Sequence, residues 1–353
     1  MANQETQLLD EIITTSRRKM MTLGAASLAG LIMASTSKDA KAATASYSDA
    51  DILNFALNLE YLEANFYYLA AFGTTIDKPN AASIAAGGPS AGIPITGSVG
   101  TAGTVSGGSK VPFATVTVGS YATETAIEEG KHVLFLQGAL SSAAVAQPAI
   151  NLGTSWQGLA AAANTVTPAG NIPPSFSPYA SDDTFLVGAY VFEDVGVTAY
   201  HGAAALLTVS GNLSAAAGIL AVEAYHAGLV RTTINALGSA ALIGYTTSIS
   251  NLRNALSQAG LLGVAAGATS YDKNPDDYGL ATFTTTSLGT TGTATATRIV
   301  DADPSDVVAF GRNTTQVLNI VTGGGAVNGT AAVSPAMGVF FPAGMNAGPN
   351  GFK

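Results

Sequence analysis

The sequence predicts a mainly α-helical protein: an antiparallel four-helix bundle with a long crossover, Gly/Thr-rich irregular insertions and a C-terminal tail. Three observations lead there. Apolar residues recur at helical spacing over four long segments. A Pro/Gly/Ser-rich stretch separates the second segment from the third, whereas the third and fourth almost touch. Finally, the spacing Glu-x-x-His occurs twice, in the second segment and again in the fourth.

Residues 1–42 read as an address. Ser16-Arg17-Arg18-Lys19-Met20-Met21 resembles a twin-arginine export signal, and the apolar run from Leu23 to Met33 is too short to span a membrane comfortably. Ala40-Lys41-Ala42 offers a small-x-small cleavage site, so the mature chain is expected to begin at Ala43, in the periplasm, outside the cell or on its surface. Proteins exported this way generally cross the membrane already folded, often around a cofactor.

The 353 residues are 47% hydrophobic, ample for a large core, but only 10% are charged and 40 are glycine. Mean hydropathy is +0.32, although no stretch of the mature chain reads as a membrane span. A net charge of −9 without clustered Lys and Arg excludes a nucleic-acid partner. The absence of cysteine excludes disulfides, thiolate metal sites and a Cys nucleophile, so any metal is held by oxygen and nitrogen. No Gly-x-Ser-x-Gly elbow, phosphate loop or dinucleotide fingerprint occurs, and glycine clusters such as Gly323-Gly324-Gly325 read as flexible turns.

The first helix is expected from Asp49 to about Phe72, on the recurrence of Ile52, Leu53, Phe55, Ala56, Leu59, Leu62 and Phe66, with Asp49 or Asp51 as its cap. An insertion, residues 74–118, follows, in which the alternation from Phe113 to Val118 suggests a short strand. The second helix runs from about Ser120 to Leu140, and the crossover to Ser181 holds one helical patch near Trp156 to Asn164. Ser181 caps a third helix from Asp182 to about Val209. Asn212 caps a fourth, Leu213 to Leu237, which Gly238 stops. The break of Ser210 and Gly211 makes these two antiparallel neighbours. A fifth helix, about Ser248 to Ala259, closes a bundle unit of residues 43–260. The extension 261–353 is expected to be mostly irregular and packed on the bundle, with one periodic segment near Asp306 to Val321 and a Phe340-Phe341-Pro342 ending.

All seven glutamates of the mature chain fall on the four long helices: Glu60, Glu63, Glu124, Glu128, Glu129, Glu193 and Glu223. A solvated helix scatters Glu and Lys together, yet these segments carry almost no lysine, and Glu193 and Glu223 sit in apolar runs. Several of these carboxylates must be buried, and a buried carboxylate without a cation costs several kcal/mol. Glu129-x-x-His132 and Glu223-x-x-His226 each put two donors on one helix face, about 4.5 Å apart along the axis. With Glu60 and Glu193 they complete a known bundle arrangement for two iron or manganese ions, one Glu from each of two helices and Glu-x-x-His from the other two. Four carboxylates against two divalent ions leave a neutral cluster. The halves also correspond: aligning Glu60 with Glu193 aligns Tyr67 with Tyr200, and Glu129/His132 aligns with Glu223/His226. Glu63 is left open between a ligand, an acceptor for a histidine N–H and an interhelical contact. Glu124 and Glu128 read as solvated or capping residues, His201 as a core or supporting histidine, and Tyr67 and Tyr200 as core residues or as redox or hydrogen-bonding partners.

Leu59-Glu60-Tyr61-Leu62-Glu63-Ala64-Asn65-Phe66-Tyr67, Glu128-Glu129-Gly130-Lys131-His132-Val133, Phe192-Glu193-Asp194-Val195-Gly196 and Glu223-Ala224-Tyr225-His226-Ala227 resemble the exported ferritin-like domain family, which includes the plant desiccation-related proteins. Ala309-Phe310-Gly311-Arg312-Asn313, Gln316-Val317-Leu318 and Gly338-Val339-Phe340-Phe341-Pro342 are similar to that family's tail. The resemblance implies a ferritin-like bundle with a site for iron or manganese. Two functions follow as expectations. One is a redox metalloprotein meeting oxygen or peroxide, catalase-like disproportionation included. The other is a structural or stress-protective protein, self-assembling or homo-oligomeric through its neutral surface, with the metals stabilising the bundle. Iron storage fits less well, because the insertion interrupts a shell-forming surface.

Overall fold

The computed structural model describes residues 47–167, 171–262, 276–280, 282–286, 293–303, 307–323 and 340–347. The expected export signal lies outside them, as do Gly324 and Gly325. In chain order the elements are α1 (Asp49–Phe72), α2 (Ala81–Ala85), β1 (Val105–Gly107), α3 (Val116–Leu140), β2 (Ile150–Leu152), α4 (Ser155–Val166), α5 (Asp182–Ala204), α6 (Ser210–Leu237), α7 (Ala240–Leu262), β3 (Thr282–Thr286), β4 (Thr293–Thr297) and α8 (Thr314–Val321). The fold is mostly helical, and α1, α3, α5 and α6 form the bundle.

Each end of the bundle is stitched by one aspartate. Ser48 caps α1 in a capping box with Asp51, which frees Asp49 to accept from the N–H groups of Thr208 and Val209, at 2.9 and 3.0 Å, where α6 begins. At the other end Asp182, in the first turn of α5, accepts from the N–H groups of Ala114 and Thr115 at 2.8 and 2.9 Å, where α3 begins. These contacts place the starts of α1 and α6 together and the starts of α3 and α5 together. Along the helices, Asn54 of α1 reaches the Ala143 carbonyl past the end of α3, and the Tyr61 hydroxyl accepts from Gln137, so α1 and α3 are antiparallel.

Several local expectations change. Ser48, rather than Asp49 or Asp51, caps α1, and the fifth helix starts at Ala240 rather than near Ser248. Phe113 to Val118 is not a strand: Thr115 caps α3 by accepting from the Val118 N–H, so the helix starts at Val116. The third helix stops at Ala204, and the link to the fourth is Ala205–Val209 rather than Ser210-Gly211. Asn212 does not cap: its amide donates to Asp49, and the residue before α6 is Val209. In the extension, the register Thr282↔Thr297 to Thr286↔Thr293 makes β3 and β4 an antiparallel pair.

The glycine-rich insertion is packed more tightly than flexible turns would be. β1 pairs with β2 of the crossover in parallel register, and a Cβ on Gly103 would fall 2.2 Å from the Ala149 nitrogen. Only glycine allows that approach. Buried asparagines of α1 hold this wrapping down: Asn54 accepts from the Val145 N–H at 3.0 Å, Asn58 accepts from the Asn346 N–H at 2.9 Å, and Asn65 donates to Gln147 at 2.8 Å. As a result α1 is buried on nearly every side. An aromatic nest closes the bundle's flank, with Trp156 of α4 lying 5.5 Å from Phe192 and 5.1 Å from Phe340 of the tail. Among the described residues one helix, α6, is long and apolar enough to cross a membrane, but its Glu223, His226 and Arg231 are all buried in the bundle.

A second staple is ionic. Arg231 and Arg253 both donate to Asp194 Oδ2 at 2.9 Å, Arg253 also donates to Asp277 at 2.9 Å, and Arg312 donates to Asp277 and Asp276 at 3.1 Å. These pairs join α5, α6 and α7 to the extension. Removing one partner strands the others in a dry interior. Arg253→Ala is therefore expected to lower stability by about 3–5 kcal/mol, measured by urea unfolding; a loss under about 1 kcal/mol would show the network open to water.

Candidate metal centre

Four helices aim their inner faces at one point. Glu60 and Glu63 come from α1, Glu129 and His132 from α3, Glu193 from α5, and Glu223 and His226 from α6; all seven side chains are buried. Three-residue spacing keeps each pair on one helix face, and the antiparallel packing sets Glu129-x-x-His132 against Glu223-x-x-His226.

The donors form two interlocking groups: Glu60, Glu129, His132 and Glu223, and Glu129, Glu193, Glu223 and His226. Within each group, one ligand atom per residue lies within 4.8 Å of all the others. Glu129 and Glu223, the glutamates of the two Glu-x-x-His pairs, belong to both. His132 Nδ1 stands 3.3 Å from Glu60 Oε2, 3.3 Å from Glu129 Oε2 and 3.5 Å from Glu223 Oε1. His226 Nδ1 stands 3.0 Å from Glu129 Oε1 and 3.4 Å from Glu193 Oε2.

The tyrosines cross-brace the outer carboxylates. Tyr67 of α1 donates to Glu193 Oε1 on α5, and Tyr200 of α5 donates to Glu60 Oε1 on α1. Each bond satisfies Oε1 and leaves Oε2 bare. Glu60 Oε2, Glu193 Oε2, Glu129 Oε1, both Glu223 oxygens and His226 Nδ1 make no hydrogen bond, although all are buried. Such atoms are costly unless something else satisfies them. Oxygen and imidazole donors in two four-member groups fit a pair of divalent cations.

The proton affinities follow from the same crowding. Burial pushes the Glu60 carboxyl up to about 7 against the pull of His132. Burial and the neighbouring negative charges push Glu63 and Glu223 well above the carboxylate range, and burial also raises Glu193. Burial acts to raise Glu129 as well, but the His132 and His226 charges hold it low. Burial would lower His132, yet Glu60 and Glu129 lift it to about 12, and His226 is lifted likewise, with Glu193 the largest opposing charge. Without cations, protons carry the balancing charge.

The remaining sequence candidates separate. Glu63 joins neither donor group. It lines two apolar cavities, of about 40 and 30 Å³, that share Leu59, Glu63 and Gly196. His201 stays out of the cluster, and its Nδ1 faces Gly311 of the tail. Glu124 lines a surface groove. Glu128 departs from its solvated reading, because its Oε2 accepts from His226 Nε2 at 2.7 Å. The signal for it was indirect: a ligating imidazole needs a partner for its outer N–H. Gly196 was also missed. A Cβ there would fall 2.2 Å from Glu223 Oε2, and a glycine inside a long helix three residues past a buried Glu was its clue.

The ferritin-like domain family matches residues 48–236, from the cap of α1 to the last turn of α6. The desiccation-related protein PCC13-62 of Craterostigma plantagineum is 32% identical over 224 residues, 61% of this chain and 64% of that protein. The chain thus spans just under two thirds of that relative's length. No solved structure gives a significant match. A family match that covers more than half of the chain, and every helix that converges on the buried glutamates, assigns this protein to the ferritin-like domain family.

Proposed function

We propose that this chain is an exported, stress-related metalloprotein that holds two iron or manganese ions between Glu60, Glu129, His132, Glu193, Glu223 and His226 and acts on dioxygen or peroxide. The observation that carries the reading is the pair of donor groups sharing Glu129 and Glu223, with unpaired oxygens at their centre. Bound there, the ions supply redox equivalents and polarise an oxygen substrate. The protein's own part is positioning. Tyr67 and Tyr200 fix the Glu193 and Glu60 carboxylates so that the free oxygen of each faces inward. Glu129 and Glu223 span both positions, and Gly196 leaves room for the Glu223 carboxylate. Aliphatic walls keep water away, and Glu63, whose charge burial disfavours, holds a proton beside the cluster.

Twin-arginine export of a folded, metal-loaded chain suits this ligand set. Oxygen and nitrogen donors favour copper over iron or manganese, so loading before export lets the cytoplasm choose the ion. The desiccation-related name of the relative fits a stress-protective role. A second reading, self-assembly, draws on the neutral surface of α6, which exposes Leu213, Tyr225 and Leu237 at separate points while its Glu, His and Arg are buried. On that reading the mature protein elutes above monomer size; a monomer with turnover ends it.

Purified mature protein is expected to hold two Fe or Mn ions per chain by elemental analysis. Glu129→Ala, which touches both positions, loses both; His226→Ala loses at least one; Gly196→Val, which displaces Glu223, loses both. Full metal content in Glu129→Ala and His226→Ala would contradict the assignment. The metal-free protein is expected to lose stability as pH rises from about 5 to about 9. The fold keeps protons on Glu60, Glu63 and Glu223 that an unfolded carboxyl releases near 4.5, and on His132 and His226 that an unfolded imidazole releases near 6.5. The folded state therefore binds more protons across that window, and deprotonation favours unfolding. Saturating Mn²⁺ replaces those protons, so its stabilisation grows with pH. Thermal unfolding in chelator and in Mn²⁺ checks both trends, and a metal-free Tm that climbs over the window would refute them.

A further inference from the structure

The two donor groups match in composition, three glutamates and one histidine each, but the imidazoles that serve them are anchored differently. Both turn Nδ1 toward the carboxylates. The outer nitrogen of His226 donates to Glu128 Oε2 at 2.7 Å, whereas no hydrogen bond is made by His132 Nε2 among the described residues. The correspondence between the halves explains the difference. Glu129 aligns with Glu223, so the counterpart of Glu128 is Val222, whose side chain has no acceptor. Glu128 sits at the rim, its side chain 39% exposed in an open groove of about 570 Å³ along α3 that also contains Thr123, Glu124 and Lys131.

A carboxylate that accepts the outer N–H of a ligating imidazole fixes its tautomer and ring plane and makes the inner nitrogen a better donor. A ring without that partner must be ordered when the ion arrives. We propose that Glu128 is a positioning residue that makes the two metal positions unequal, so that the position served by Glu193 and His226 binds a divalent cation more tightly than the one served by Glu60 and His132. This rests on the dinuclear reading above. The asymmetry gives a loading order, with the first ion entering the position whose histidine is already held.

Anaerobic titration of the metal-free full-length mature protein with Mn²⁺, counting free ion by electron paramagnetic resonance, tests it. The expected result is two ions in two separated steps. Glu128→Ala weakens the tighter step by roughly 10–100-fold and leaves the weaker step alone, so the steps converge. Glu128→Gln, which still accepts an N–H, restores part of the gap, and Val222→Glu tightens the weaker step. Crystals given one equivalent of Mn²⁺ supply a readout that needs no variant: the anomalous peak lies beside Glu193 and His226. Two equal steps in the wild type, a peak beside Glu60 and His132, or a Glu128→Ala variant that weakens both steps alike or neither would overturn the inference while leaving the dinuclear reading intact. A wild type that binds no Mn²⁺ would overturn both.

Discussion

Four glutamates meeting in a dry interior is the constraint to which the rest of this structure answers. Each buried carboxylate costs several kcal/mol in isolation, and bringing four together adds mutual repulsion. The chain could have avoided this with apolar residues at those positions, as ordinary bundles do. It keeps the glutamates, braces the two outer ones with tyrosines from the opposite helix, and leaves the inward oxygens bare. Such a cluster is stable only with compensating positive charge: protons on the imidazoles when empty, divalent cations when filled.

The surroundings keep that charge in place. Buried arginines are present, but Arg231, Arg253 and Arg312 are matched by Asp194, Asp276 and Asp277 in a separate network. Glu193 and Asp194 show the sorting most directly: adjacent residues of α5 point about 100° apart, one to the glutamate cluster and one to the arginines. None of the arginines enters the glutamate cluster, which leaves that space to a cation with no side chain of its own. The insertion, crossover and tail then wrap α1 and exclude water through the asparagine bonds of Asn54, Asn58 and Asn65.

How much of this was legible in the sequence depended on the distance over which each signal acts. Helical periodicity and the two Glu-x-x-His pairs are local, and they located the bundle helices and the six candidate ligands, which the fold brings together. Helix ends were less legible, because Asp49 serves the start of α6 rather than capping α1, and Val209 precedes α6 without a capping side chain. Glu128 looked solvated because the His226 that it holds is 98 residues away. Nothing local marked Gly103, which is glycine because another backbone lies against it. The arginine network was hidden for the same reason: its members come from five separate segments, and sparse charge on a neutral chain gives no pairing rule.

The account stands or falls on whether two cations occupy the space between Glu60, Glu129, Glu193 and Glu223. Anomalous scattering from metal-loaded crystals, measured on both sides of the iron and manganese edges, addresses this directly. Two peaks are expected, one beside His132 and one beside His226, with the Glu129 and Glu223 carboxylates between them. Peaks confined to the surface, or an empty cluster at saturating metal, would contradict it.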